Sequence, residues 1–231
     1  SGKTEVFLQA IKHSVNRGRS ALVLVPEISL TPQMVSRFVS RFGKRIAILH
    51  SGLSVGEKYD QWARIMNNEA DIVIGARSAI FAPLSNIGII IVDEEHSDTY
   101  KSEMSPRYHA REVAIERARK HGAVTLLASA TPSIESYTYA LLGKYQLLEM
   151  NKRYNESSMP EIDIVDMREE LELGNKSMFS KALYNAIKEN IARKEQTILF
   201  MNRRGFSTFV SCRKCGFVPQ CPNCNISLTY H

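Results

Sequence analysis

IGIIIVDEEH, residues 87–96, sets a nearly unbroken apolar run directly against three carboxylates. A half-buried strand alternates apolar and polar residues, but Ile87–Val92 has no polar side chain, so both of its faces must be covered. The run is far too short to cross a bilayer, which takes about 20 residues. A strand buried on both faces belongs in a parallel sheet between helical layers. Ligands of such sheets bind beyond the carboxyl ends of the strands. Crowding Asp93, Glu94 and Glu95 at that mouth is costly unless a cation or a water-handling role compensates. The alternative is that the same carboxylates cap a following helix.

Outward from this stretch the same grammar repeats. Short Val-, Ile- and Leu-rich runs predict strands at about 20–26, 45–49, 71–75, 87–92 and 124–129, and helical patterns fall at about 30–43, 53–68, 106–121 and 132–143. Strands alternating with helices imply crossover units and a parallel sheet, an α/β fold. At the start of the chain, SGKTEVFLQAIKHSVNRG (1–18), Gly2-Lys3-Thr4 match the last three positions of the phosphate-binding pattern G-x-x-x-x-G-K-[ST]. Val6, Phe7, Ala10, Ile11 and Val15 recur at helical spacing behind them, so the tripeptide sits where a helix N-terminus favours phosphate. Lys3 would reach the outer phosphates and the Thr4 hydroxyl would hold Mg²⁺; the alternative is a frayed, positively charged terminus. The acids some ninety residues downstream favour the nucleotide site. There Asp93 would assist Mg²⁺ and Glu94 would orient the attacking water.

The totals set bounds. The 231 residues suit one large domain, or one plus part of another, with 44% hydrophobic and 23% charged residues, ordinary for a globular chain. A net charge of +6 mildly favours an anionic partner such as nucleic acid. All four cysteines fall in two C-x-x-C pairs, Cys212/Cys215 and Cys221/Cys224, which points to metal in a reducing compartment, not to disulfides. Only five residues separate the pairs, cramped for one closed four-thiolate site; the alternative is that all four thiols are reduced and unliganded. No apolar run and no visible leader calls for a membrane.

Other predicted strand ends carry PEISLTPQ (26–33), LHSGLS (49–54), GARSAIF (75–81) and SATPS (129–133). Arg77 follows a backbone-exposing turn suited to a phosphodiester. In SDTYKSEMSPRYHAREVAIERAR (97–119), Tyr100, Tyr108 and His109 are able to stack on unpaired bases while Lys101, Arg107 and Arg111 meet phosphates. The alternative is that Tyr108 is buried under the next helix and the cations are its solvated face. Beyond a polar connector (151–177, with a strand-like core EIDIVDM at 161–167), a helix at about 178–194 and a strand TILFM (197–201) predict the start of a second α/β unit.

Taken in order, GKT, PEISLTPQ, LHSGLS, GARSAIF, DEEH, SATPS and FMNRRGF (200–206) resemble the superfamily-two helicases, most closely the bacterial replication-restart helicases. The resemblance implies a RecA-like lobe at 1–150, the connector, the start of a second RecA-like lobe at 178–211 and part of a zinc-binding insertion at 212–231. Gly2, Lys3 and Thr4 then resemble the end of Walker A, Asp93 and Glu94 the Walker B acids, and His96 the coupling position beside them. Asn202, Arg203, Arg204 and Gly205 resemble the first motif of the second lobe. The segment after DEEH resembles an aromatic-rich loop that couples DNA contact to ATP hydrolysis, with Arg77, Tyr100, Arg107 and Tyr108 on DNA. The resemblance also implies two zinc ions in the parent protein, with Cys212, Cys215, Cys221 and Cys224 supplying half of their ligands. It implies 3′–5′ unwinding with ATP and Mg²⁺ on single-stranded and forked DNA. Implied partners are single-stranded-DNA-binding protein and primosome or helicase-loading proteins, in the bacterial cytoplasm. An RNA helicase, a duplex translocase, and a zinc-dependent binding module on an inactive ATPase scaffold are the alternatives. With only Ser1 before Gly2, this piece made alone is expected to bind ATP weakly.

Overall fold

The computed structural model describes residues 2–150, 160–200, 212, 215 and 217–222. They fall into two compact units, residues 1–157 and 158–231.

The first unit is built on five parallel strands, β1 (Ser20–Leu24), β2 (Ile46–Leu49), β3 (Ile72–Gly75), β4 (Ile87–Asp93) and β5 (Val124–Ala128), in spatial order β2-β3-β1-β4-β5. Its helices are α1 (Lys3–Asn16), α2 (Pro32–Phe42), α3 (Val55–Met66), α4 (Ala110–His121) and α5 (Ile134–Leu141). Each strand predicted for this unit is present, within two residues at either end. The apolar runs explain the layering. Side chains alternate across a strand, so Ala21, Val23, Ile72, Ile74, Ile89 and Ile91 pack with Phe7, Ile11 and Val15 of α1 and Phe38 of α2. Leu22, Leu24, Val73, Ile90 and Val92 face the other way, onto Ile65 of α3 and Ala114 and Ala118 of α4. Each fully buried Leu, Ile or Val contributes roughly 1.5–3 kcal/mol, and the central strands supply most of them. At the end of β3, a Cβ on Gly75 would collide with the Leu49 carbonyl and Ala79, so only glycine lets β2 and the following turn approach so closely.

Among the described residues β5 lies at the edge of the sheet; Val124 is 63% exposed and the rest of the strand is half-buried. The fourth helix begins at Ala110, not 106, because the His109 ring accepts the Arg111 N–H and caps it there.

In the second unit, α6 (Met167–Glu172) and α7 (Lys181–Ala192) are helical. EIDIVDM is not a strand: Asp166 accepts the Arg168 N–H and starts α6 instead. Thr197–Phe200 are not strand either. A strand exists only with a hydrogen-bonded neighbour, and among the described residues of this unit there is none. Among the described residues, no helix is long and apolar enough to cross a membrane.

Candidate functional site

Lys3, the first residue of α1, and Asp93, the last residue of β4, are ninety positions apart in sequence and adjacent in space. The Lys3 ammonium lies 3.4 Å from Asp93 Oδ1 and donates a short hydrogen bond to Glu94 Oε1. The strand places Asp93 at the carboxyl mouth of the sheet, and Glu94 turns the chain with a left-handed φ of +46°. All three side chains are largely removed from solvent, with 16% of Lys3, 19% of Asp93 and 33% of Glu94 exposed. Burial alone would discharge Lys3, but its bonds to Glu94 and Asp93 outweigh that and hold its pKa above the usual 10.5. Burial raises Asp93 above its usual 3.8, Lys3 opposes that rise and Glu94 adds to it. Two crowded carboxylates share one ammonium, an arrangement with charge to spare for a cation. Gly2 caps the start of α1, and Thr4 is half-buried in its first turn.

The loop after β5 docks on the same turn. His96 Nδ1 lies 2.8 Å from Ser129 Oγ and 3.7 Å from Glu94 Oε2, and Ser129 Oγ accepts the Thr131 N–H at 2.9 Å. DEEH and SATPS therefore form one hydrogen-bonded surface. Glu95 points the other way. It is 2% exposed and accepts from Ser133 N (2.6 Å), Ser133 Oγ (3.1 Å), Ser136 Oγ (2.9 Å) and Arg111 (2.8 Å). Burial opposes its charge, but these donors hold its carboxyl below 4.5. Sequence reasoning noted Glu95 without a role for it; a third acid at the end of a buried strand was the available signal.

The expected nucleic-acid residues divide. Tyr100 is fully buried and its hydroxyl donates to the Asp93 carbonyl at 2.6 Å, so it presents no ring to a base. Burial and the nearby Asp93 and Glu94 charges drive its pKa far up. Arg111 faces Glu95 with 12% of its side chain exposed and does not reach a phosphate. Arg77 donates to the carbonyls of Thr99 (3.2 Å) and Lys101, and its guanidinium lies 5.9 Å from the Tyr108 ring. Tyr108 is half-buried, edge-on to Phe81 at 5.0 Å. Arg107 is exposed. The loop that carries these residues is closed at its base by the Lys101–His109 bridge and by the Ser102 N–H on the Tyr108 carbonyl (2.8 Å).

Asn202, Arg203, Arg204, Gly205 and Cys224 lie outside the described residues. Cys212 N–H donates to the Phe217 carbonyl at 2.7 Å. Among the described residues, no three His, Cys, Asp or Glu side chains come together as a metal site.

A lysine at a helix start against paired acids at a strand end, backed by a small-hydroxyl loop, is an arrangement with known counterparts. The family model for DEAD/DEAH box helicases matches residues 1–138, more than half of the chain. The chain belongs to the DEAD/DEAH box helicases. Replication restart protein PriA of Bacillus subtilis is 58% identical over 231 residues, covering 100% of this chain and 29% of the relative. The PriA of Synechocystis is 52% identical over 238 residues, covering 100% and 28%. The chain thus spans under a third of the length of these curated relatives. Among solved structures, RecG bound to a three-way DNA junction aligns with 62% of this chain and 18% of its own, at 28% identity and a TM-score of 0.43. The first unit of this helicase-family chain is a RecA-like α/β lobe.

Proposed function

We infer that this chain is the ATP-binding lobe, with the start of a second lobe, of a DNA helicase that moves 3′ to 5′ and restarts replication at stalled forks. The observation that carries the reading is the convergence of Lys3 on Asp93 and Glu94 at the end of β4. Direction and biological setting rest on the resemblance to PriA. In this reading Lys3 exchanges a carboxylate partner for the outer phosphate oxygens of ATP, which frees Asp93. Asp93 and the Thr4 hydroxyl would then hold Mg²⁺, which when bound would neutralise phosphate charge. Glu94 orients the attacking water and is placed to accept its proton. The His96–Ser129 contact links that turn to the loop after β5 and carries the state of the site outward. Arg107, exposed, and Tyr108, half-buried, are the side chains of the 101–109 loop offered to single-stranded DNA.

The donor chemistry of Cys212, Cys215, Cys221 and Cys224 suits zinc thiolate sites, completed by ligands from elsewhere in the full-length protein. Single-stranded-DNA-binding protein and helicase-loading proteins are the expected partners, in the bacterial cytoplasm.

The test uses the full-length protein. ATP hydrolysis is measured without nucleic acid, with single-stranded DNA and with RNA, and unwinding is compared on 3′- and 5′-tailed duplexes. DNA-stimulated hydrolysis that disappears in Lys3→Ala is the expected result. Stimulation by RNA alone favours an RNA helicase, and turnover that survives Lys3→Ala removes this site from the mechanism. Metal analysis of the same protein reads zinc directly.

A further inference from the structure

Glu95 lies between the Asp93–Glu94 turn and a buried network that the reading above leaves unused. Its carboxylate is 2% exposed and gathers four donors from three residues on two helices: Arg111 in the first turn of α4, Ser133 at the cap of α5, and Ser136 in the first turn of α5. Arg111 also donates to Ser133 Oγ (2.7 Å) and Ser136 Oγ (3.3 Å), so the guanidinium joins two helices to one strand end. The Glu95 N–H donates to the Ala128 carbonyl at 3.1 Å, fixing the main chain on that side as well. Immediately before it, Glu94 holds a left-handed φ that a glutamate adopts only when its surroundings over-determine it. The Glu95 anchor supplies that determination.

The other end of the network reaches the 101–109 loop. His109 closes the loop by its bridge to Lys101 and caps the helix on the Arg111 N–H. Arg77 and Phe81 brace the same loop from the turn after β3. A displacement of the loop therefore reaches Arg111 within two residues, and Arg111 grips the neighbour of Glu94.

We propose that Arg111 is a positioning residue that links the 101–109 loop to Glu94 through the buried Glu95 carboxylate, so that a strand bound at the loop sets the hydrolytic turn. The proposal rests on the helicase reading. The two residues then have different signatures. With Arg111 replaced, Glu95 keeps Ser133 N, Ser133 Oγ and Ser136 Oγ, so Glu94 stays in place and only its link to the loop is lost. With Glu95 replaced, the anchor itself goes.

The experiment compares Arg111→Met, Arg111→Lys, Ser136→Ala and Glu95→Ala in the full-length protein. For each, kcat and KM for ATP are measured without and with single-stranded DNA, alongside the thermal midpoint. For Arg111→Met, basal turnover is expected within threefold of the unaltered protein and the DNA-stimulated kcat at least tenfold lower, with KM for ATP unchanged. Arg111→Lys, which keeps one bond to Glu95, is expected to restore part of the stimulation. Glu95→Ala is expected to lower basal and stimulated turnover together. Equal loss of both activities in Arg111→Met and Arg111→Lys, tracking the thermal midpoint, overturns the proposal in favour of a purely structural bridge. Full stimulation in Arg111→Met overturns it outright. If Arg111→Met does not fold, Arg111→Lys and Ser136→Ala decide: an unchanged stimulation ratio in both defeats the link. No hydrolysis by the unaltered protein, with or without DNA, defeats the helicase reading itself and is distinct from each of these outcomes.

Discussion

The two ends of the sheet both bring charge close to the core, and they compensate it in opposite ways. At the amino end, the Arg19 guanidinium donates to the carbonyls of Gly122 (3.0 Å), His121 (2.6 Å) and Ile87. Three fixed acceptors, from the end of α4 and the start of β4, hold one cation, and Arg117 does the same on the helical face with the carbonyls of Ile80, Ala82 (2.6 Å) and Leu84 (3.2 Å). At the carboxyl end, Asp93 and Glu94 share the single ammonium of Lys3, and Asp93 is held above its ordinary pKa. A saturated charge fixes the fold, while an under-compensated one is a standing demand for a ligand.

Glu94→Gln presses hardest on this contrast. It is expected to lower DNA-stimulated ATP hydrolysis by about 10²–10⁴-fold, the usual worth of a positioned proton acceptor. Stability should hold or rise slightly, because the repulsion between Asp93 and Glu94 is relieved. A variant that hydrolyses normally would show that the crowded carboxylates are only structural. Arg19→Met should do the reverse. Leaving its carbonyls without a donor is expected to cost about 2–4 kcal/mol in denaturant unfolding, with kcat of the folded protein unchanged. Tyr100→Phe keeps the core ring and removes one hydroxyl donor from the Asp93 carbonyl. About 1 kcal/mol of stability is the expected loss, and a larger fall in hydrolysis than in stability would place Tyr100 among the groups that orient Asp93.

The smallest effect concerns pH. Because Glu95 titrates below 4.5 in the folded protein, its stabilising contribution is complete above 4.5 and is lost as pH falls through its depressed pKa. Unfolding measured from pH 6 down to 3 should show a shallower loss for Glu95→Gln than for the unaltered protein. Identical slopes would mean that the buried network tolerates a neutral Glu95.

How much of this was legible in sequence follows from what each signal encodes. The doubly buried strands read plainly because Ile87–Val92, Ala21–Leu24 and Ile72–Ile74 lack polar residues on either face. Lys3, Asp93 and Glu94 read plainly because a helix start and a strand end fix where those side chains emerge. Tyr100 did not, since the short 3₁₀ turn at Asp98–Tyr100 folds its ring back beneath Asp93 and nothing in composition tells a buried tyrosine from a stacking one. Arg111 was misread for the same reason: a basic residue on a helix is usually solvated, and its partner Glu95 lies sixteen positions earlier. EIDIVDM failed differently. Its alternation was real, but a strand needs a neighbour, and Asp166 offered a helix cap instead.

The exposed flank of β5 has a practical consequence for anyone handling the lobe by itself. An edge strand carries a row of main-chain donors and acceptors able to pair with another chain. Val124, 63% exposed, adds an apolar contact at its start, and no lysine, proline or bulge within Val124–Ala128 discourages pairing. At the opposite edge, β2 is nearly buried beneath its helices. Concentrated solutions of the isolated lobe should therefore self-associate through β5. Sedimentation velocity should show that association weakening when Thr125 is replaced by lysine, which sets a repelling charge on the open edge.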